Sequence, residues 1–150
     1  MKTLVRHEFF EDGQHGWLKV SKSRLKQLGL LDKISSYSYM RKGYVFLEED
    51  VDLSLYVSAL LELDKVERET PEYLVFMRGF WDLTNRCYSE KRSKIRGYEH
   101  FKNLTESEVK EITEIRNRLL NLRHWGKTSI RQINNAPQSR LLFWKEHYKI

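Results

Sequence analysis

Cysteine is almost absent from this chain, and that shortage limits the chemistry available to it. The 150 residues include one cysteine, Cys87, so the chain cannot form an internal disulfide. Such usage is typical of proteins in a reducing compartment, and we expect a cytoplasmic location. We interpret Cys87 as a small buried or half-buried apolar side chain rather than a reactive thiol.

Proline and glycine are also scarce, with 2 and 7 residues, and no long apolar run is present. A content of 40% hydrophobic and 32% charged residues is that of a globular protein and excludes a collagen-like or disordered chain. No window approaches the roughly 20 apolar residues of a membrane-spanning helix, and the N-terminus carries neither a secretory signal nor a transit pattern. We therefore expect a soluble chain that does not contact a membrane.

Acidic residues are missing from one long segment. None occurs between Glu114 and Glu146, although seven Lys or Arg residues fall there. Residues 1–84 contain 12 Lys and Arg against 14 Asp and Glu, a net charge of −2, whereas residues 85–150 contain 15 against 7, a net charge of +8. A segment of one charge sign attracts polyanions such as nucleic acid. The same face could instead dock on an acidic protein surface.

Residues 1–101 predict an α+β module of two hairpins and two packed helices. The hairpins are predicted over residues 2–21, with a turn at “EDGQ”, and over residues 33–50, with a turn at “RKG”. Short helices are predicted over 21–31, where Ser21 or Ser23 is the N-cap and Gly29 the stop, and over 52–63, where Asp52 or Ser54 is the cap. Pro71 prevents the second helix from continuing. The apolar run at 72–83 predicts a buried strand, and residues 85–101 are predicted to be part loop and part strand.

Residues 102–150 predict a helical extension. Thr105 and Glu108 form a capping box, and apolar residues then recur every three or four positions until Gly126 ends the helix. A short helix around Ile130 is predicted next, then a break at “NNAP” and a last helix with Pro137 as its first residue.

Several sequence blocks occur in a specific order, namely “HGWLKV”, “DKISSYSY”, “YVFLEEDVD” and “SKIRGYEHF”. Together they resemble a family of short uncharacterised proteins from phages and bacteria, over about residues 5–101. The resemblance implies a compact module borne on mobile elements, and hence the host cytoplasm for a phage-encoded chain. It implies no activity and no site residues, and residues from 102 onward lie outside it.

Catalytic and metal sites find little support in the sequence. None of the five histidines stands at ligand spacing from another His or from Cys87, and neither a P-loop nor a GxGxxG motif occurs. His15 could act as an acid or base through Glu8 or Asp12, but we interpret it as a turn residue satisfied by a neighbour. The acids at 48–52 could hold Mg²⁺ or Ca²⁺, but complementing a helix dipole explains them sufficiently. Hydroxyls of “SSYSY” are expected at a core rim. We expect no catalytic residue, no metal and no cofactor.

The interleaving of basic and polar residues is the strongest functional signal. In “EKRSKIRGYEHF”, Arg92, Lys94 and Arg96 are predicted to lie on one side of a strand while Ile95 turns inward. The tail adds cations and amides suited to phosphates and base edges. These tail candidates are Arg116, Arg123, Lys127, Arg131, Asn134, Asn135 and Arg140. Residues 128–147 also suggest a helix-turn-helix, although the turn lacks the usual glycine.

These patterns favour a non-catalytic accessory protein of a phage or mobile element. It would bind nucleic acid or a nucleoprotein machine through its basic C-terminal half. The alternative is an inhibitor that binds an acidic host protein, such as a defence or transcription enzyme. An enzyme ranks third, because a nuclease needs clustered acids with a lysine on neighbouring strands, and the sequence has no such set.

Overall fold

A computed structural model describes residues 3–122 and 127–149 of the chain, with the side chains of residues 127 and 128 outside the description. The chain divides into two compact units, Met1–Lys102 and Asn103–Ile150. The first is built on a sheet and the second on helices, so the predicted α+β class is confirmed.

The first unit contains a mixed sheet. Within the described residues its strands are β1 (His7–Glu11), β2 (Gly16–Ser21), β3 (Tyr39–Arg41), β4 (Tyr44–Glu48), β5 (Thr84–Tyr88) and β6 (Glu99–His100). They lie in the order β5-β1-β2-β4-β3-β6. Each neighbouring pair is antiparallel except β1 and β5, which are parallel. The first hairpin, β1 with β2, is confirmed.

Three helices accompany this sheet: α1 (Lys22–Gln27), α2 (Asp52–Leu63) and α3 (Pro71–Asp82). The Ser21 hydroxyl caps α1 by accepting the Arg24 N–H, and Gly29 follows the helix with a φ of 69°, so both predicted boundary residues are confirmed. Helix α2 covers the predicted range, but neither Asp52 nor Ser54 is its cap, because the N-cap position is Val51, without a side-chain hydrogen bond.

The second hairpin, β3 with β4, is shorter than predicted. Its loop is Lys42–Gly43, and both residues have positive φ, as a two-residue type I′ turn requires. The prediction of strand from residue 33 was wrong, because the Ser35 and Ser38 hydroxyls donate to the Asp52 carboxylate and hold this segment in turns.

The buried strand predicted at residues 72–83 was wrong, because this segment is α3. Thr70 caps the helix by accepting the Tyr73 N–H at 3.2 Å, and Pro71 occupies the first turn, where its missing N–H costs nothing. Phe76 and Phe80, four residues apart, are fully buried, whereas Leu74 is 69% exposed. The apolar run therefore covers two faces of a helix rather than two faces of a strand.

The main core of the first unit lies between one face of the sheet and the helices. It is formed by buried side chains such as Phe9, Leu18, Leu47, Tyr56, Leu60, Phe76 and Phe80. Because side chains alternate along a strand, neighbouring positions form a second cluster on the opposite face. That cluster contains Trp17, Phe46 and Ile95, with Phe10, Tyr39 and Tyr98 packed against it. Residue 95 is thus an anchor for the segment that carries the basic residues.

The second unit contains α4 (Glu106–Leu120), α5 (Lys127–Asn135) and α6 (Gln138–Tyr148). The predicted capping box of Thr105 and Glu108 is confirmed. Helices α5 and α6 both contact α4, around a core of Ile115, Leu119, Ile133, Ala136 and Leu141. Pro137 is the N-cap of α6 rather than its first residue. The predicted end of α4 at Gly126 was wrong, because the helix ends at Leu120 with Asn121 as its C-cap; Gly126 itself lies outside the described residues. No helix in the described ranges has the length and apolar character needed to cross a membrane.

Candidate nucleic-acid interface

The β1–β2 turn and the segment after β5 meet at Asp12. The carboxylate of Asp12 accepts N–H groups of Gln14 at 3.0 Å and His15 at 3.1 Å, an arrangement that closes the turn. It also accepts the Ser93 N–H at 3.1 Å, across 81 residues of sequence. Asp12 is 8% exposed, so this buried carboxylate joins two distant segments.

Arg96 completes the ligand set of Asp12. Its Nε lies 2.7 Å from Oδ2 and its Nη2 lies 2.9 Å from Oδ1, a bidentate pair. The guanidinium also lies 5.4 Å from the centre of the Trp17 ring. Hydrogen bonds from Arg96 are the main reason that the pKa of Asp12 lies far below its usual range, assisted by the backbone N–H groups and opposed by burial. The same pairing raises the pKa of Arg96.

The strand predicted for Arg92, Lys94 and Arg96 was wrong. Residues Lys94–Gly97 form a short 3-10 helix, begun by the Ser93 hydroxyl, which accepts the Ile95 N–H at 3.3 Å. Ile95 does turn inward, with 0% exposure. The three cations therefore do not form one row: Arg96 is held by Asp12, while the other two are exposed.

A cleft of about 450 Å³ lies beside this pair. Its lining residues are Asp12, Gly13, Gln14, Glu90, Lys91, Arg92 and Arg96. Two of the three predicted cations of this segment thus face one cavity, and Lys94 is not part of its lining. Sequence reasoning missed Asp12 and Lys91 as members of this group. Asp12 could be recognised as a turn residue, but its partners Ser93 and Arg96 lie 81 and 84 residues away in sequence.

In the second unit, Arg116 has a structural contact. Its Nε donates to the carbonyl of Ile133 at 3.3 Å and its Nη2 to that of Ala136 at 3.2 Å. Ile133 lies in the last turn of α5 and Ala136 directly follows the helix, a region where a helix leaves carbonyl acceptors without partners of its own. Arg116 therefore fixes α5 to α4, and this use reduces its availability to a ligand.

Other tail candidates are exposed. Arg131 and Asn134 are three residues apart on α5, so they share a helix face. Arg140 is exposed on α6, with its guanidinium 5.9 Å from the Trp144 ring centre. No described residue forms an ion pair with Arg131 or Arg140. Both cations are therefore open to solvent.

The remaining tail candidates are less available. Asn135 is half-buried, and its Oδ1 is buried without a hydrogen-bond partner among the described residues. Arg123 lies outside the described residues, and Lys127 is described only as the first backbone position of α5. Helices α5 and α6 are joined by two residues, Ala136 and Pro137, and the helix-turn-helix hypothesis stays a prediction.

A second polar group surrounds His15. Its Nδ1 lies 3.7 Å from Glu48 Oε1, so the ring contacts β4 rather than Glu8 or Asp12, the two acids considered as acid–base partners. Within the described chain, His15, Glu48 and Asp50 offer ligand atoms within 4.8 Å of one another and could hold a divalent ion. Glu48 is already engaged, since its Oε2 accepts the Asp50 and Val51 N–H groups at 2.8 and 3.0 Å. These bonds give the acids a structural role before α2.

A buried polar chain links β1, α2 and α1. His7 Nε2 lies 2.7 Å from Tyr56 Oη, which in turn accepts from Arg24 Nε at 2.6 Å. Burial, followed by the positive charge of Arg24, lowers the pKa of His7 to about 4. Burial raises the pKa of Tyr56. The chain therefore joins a charged arginine to two buried rings, and His7 also lines a cleft of about 600 Å³.

Comparison with known proteins adds no relative to this geometry: no family model, curated protein or solved structure matches the chain. The resemblance to phage and bacterial proteins therefore rests on its sequence blocks.

Proposed function

We propose that this chain is a non-catalytic accessory protein that binds nucleic acid, alone or within a nucleoprotein machine, through its basic C-terminal half. The observation that carries the proposal is the exposed set on α5 and α6. Arg131 and Arg140 have no ion-pair partner among the described residues, and Asn134 adds an amide. Cations and amides are the chemistry that meets phosphates and base edges. A mobile-element origin, implied by the sequence blocks, fits such a role.

The surrounding charge supports the same function. No acid occurs in residues 115–145, so ligand phosphates would meet no opposing carboxylate from that segment. Lys145, the remaining described cation toward the end of this segment, is 3.3 Å from Glu111 and is partly neutralised. Arg118, exposed on α4, adds another positive charge.

The test is a binding measurement with matched charge variants. Arg131→Gln/Arg140→Gln should weaken binding to generic duplex and single-stranded DNA and RNA by tenfold or more, because each lost phosphate contact removes about 1 kcal/mol or more. Lys110→Gln/Arg78→Gln removes the same charge from exposed positions outside the proposed surface. If both variants weaken binding equally, binding depends on net charge and not on this surface, which contradicts the proposal. An absence of binding by the wild type would also refute it.

A second candidate function has its own observation. Phe143 is 64% exposed on α6, and Leu142 and Tyr148 are 37% and 42% exposed. Aromatic and apolar side chains beside arginine are typical of protein interfaces, which favours an inhibitor that docks on an acidic host protein.

The two candidates differ in their response to Phe143→Ser. Loss of capture of a host protein from nuclease-treated lysate, with nucleic-acid binding unchanged, would favour the inhibitor. Loss of nucleic-acid binding without loss of fold would assign the aromatic ring to base stacking, and hence to the first candidate.

A further inference from the structure

We infer that the cleft beside Arg96 in the first unit binds a phosphate group. This proposal concerns a different unit from the tail surface and does not depend on nucleic-acid binding by the tail. It rests on the geometry of one arginine, on the charges around it and on the size of the cleft.

Arg96 is positioned before any ligand arrives. Two hydrogen bonds to Asp12 and the nearby Trp17 ring fix the plane of its guanidinium, whose side chain is 19% exposed. Its Nη1 has no hydrogen-bond partner among the described residues and is not one of their buried unpartnered atoms. A fixed guanidinium with an unused N–H edge loses little entropy on binding an oxyanion, which is a geometric advantage over a mobile lysine.

Asp12 does not oppose an anion as strongly as its charge suggests. Its two oxygens accept five N–H bonds, two of them from Arg96, so the carboxylate is occupied on the side of the turn and the 3-10 helix. The remaining charged lining residues are Lys91 and Arg92, both exposed, and Glu90. A ligand in the cleft would therefore meet the rigid cation Arg96, two mobile cations at positions 91 and 92, and one carboxylate, Glu90, with no hydrogen bond or ion pair among the described residues.

The size of the cleft suits a phosphate with an attached group. A volume of about 450 Å³ is within the range of small-molecule sites, about 300–1,000 Å³, and exceeds what inorganic phosphate alone would fill. Gln14 adds an amide at the edge, with its Oε1 3.5 Å from Arg96 Nη2. The shared chemistry is a phosphate ester, which a free nucleotide and a nucleic-acid backbone can both supply.

The experiment follows the side-chain ¹H–¹⁵N signals of Arg96 Nε and Trp17 Nε1 in the full-length chain. Inorganic phosphate, a nucleoside monophosphate and a single-stranded oligonucleotide are titrated separately. All three probes should shift these signals. If the natural ligand is a free nucleotide, the mononucleotide should have the higher affinity per phosphate. If the natural ligand is a nucleic-acid backbone, the oligonucleotide should have the higher affinity per phosphate. An absence of shifts with every probe at about 10 mM, where even a weak site is occupied, would overturn the proposal.

Charge variants separate a site from a general attraction. Lys91→Gln/Arg92→Gln changes two exposed residues and should weaken phosphate binding about tenfold or more. Lys26→Gln/Lys33→Gln makes the same charge change at exposed positions of the same unit that do not line the cleft, and should weaken binding less than about twofold. Equal weakening by both variants would overturn the assignment. Full phosphate binding by Arg131→Gln/Arg140→Gln would support it, because the cleft would then be independent of the tail.

Discussion

Replacing Asp12 by alanine should destabilise the first unit. The substitution leaves Arg96 without its bidentate partner and removes an acceptor from three backbone N–H groups, at a site 8% exposed. Because the pair lines an open cleft, the loss of these hydrogen bonds should cost about 1–3 kcal/mol. The assay is urea unfolding followed by the amide NMR signals of β1 and β2, since these report the first unit alone.

The control is an ion pair between β1 and β5. Glu11 lies 4.0 Å from Arg86, and their side chains are 30% and 56% exposed. Pairs of this kind contribute about 0–1 kcal/mol, so Glu11→Ala should change the free energy of unfolding by less than 1 kcal/mol. A double variant of Asp12 and Arg96 should cost less than the sum of the single variants, because the second loss no longer leaves a partner unpaired. If Asp12→Ala costs as little as Glu11→Ala, the carboxylate does not organise this site.

Three further outcomes follow from buried contacts. In the folded chain the pKa of His7 is about 4, against 6.5 for the free side chain. Between pH 4 and pH 6.5 the unfolded chain therefore binds more protons than the folded chain. Stability should therefore be full above pH 6.5 and fall by about 3 kcal/mol as pH drops to about 4, and His7→Phe should flatten this part of a urea-midpoint profile. Arg116→Gln should cost about 1–3 kcal/mol and speed amide hydrogen exchange in α5, whereas Arg140→Gln should stay within about 0.5 kcal/mol in the same measurement. Gly16→Ala would place a methyl carbon 2.3 Å from Phe9 Cζ and should lower stability by about 1–3 kcal/mol in urea unfolding; no change would show that the ring moves freely.

Local signals in the sequence were sufficient for much of the fold. Ser21 and Gly29 mark the two ends of α1, and the capping box of Thr105 and Glu108 marks the start of α4. These signals could be recognised because each acts within a few residues of its own position. The error at residues 72–83 arose from a continuous apolar run, which is compatible with either a buried strand or a helix. Pro71 was interpreted as a stop for the preceding helix, and the same residue begins α3.

The site was less predictable, because its partners are distant in sequence. Asp12 and Arg96 are separated by 84 residues, and no spacing rule connects them. The sequence shows that the tail is positively charged, but it does not show which cations are engaged within the fold. Arg116 donates hydrogen bonds to two backbone carbonyls, whereas Arg131 is exposed. Composition gives the number of cations, and packing decides which of them a ligand can reach.

The salt dependence of nucleic-acid binding by the full-length chain tests the central proposal most directly. Arg118, Arg131 and Arg140 are exposed, and three phosphate contacts predict that log Kd against log salt has a slope of about 2.7 on duplex DNA. Affinity should then fall about 40-fold between roughly 50 and 200 mM salt, and Arg131→Gln/Arg140→Gln should reduce the slope by nearly two. A wild-type slope near zero, or no binding at about 50 mM salt, would contradict the assignment of the tail as a nucleic-acid surface.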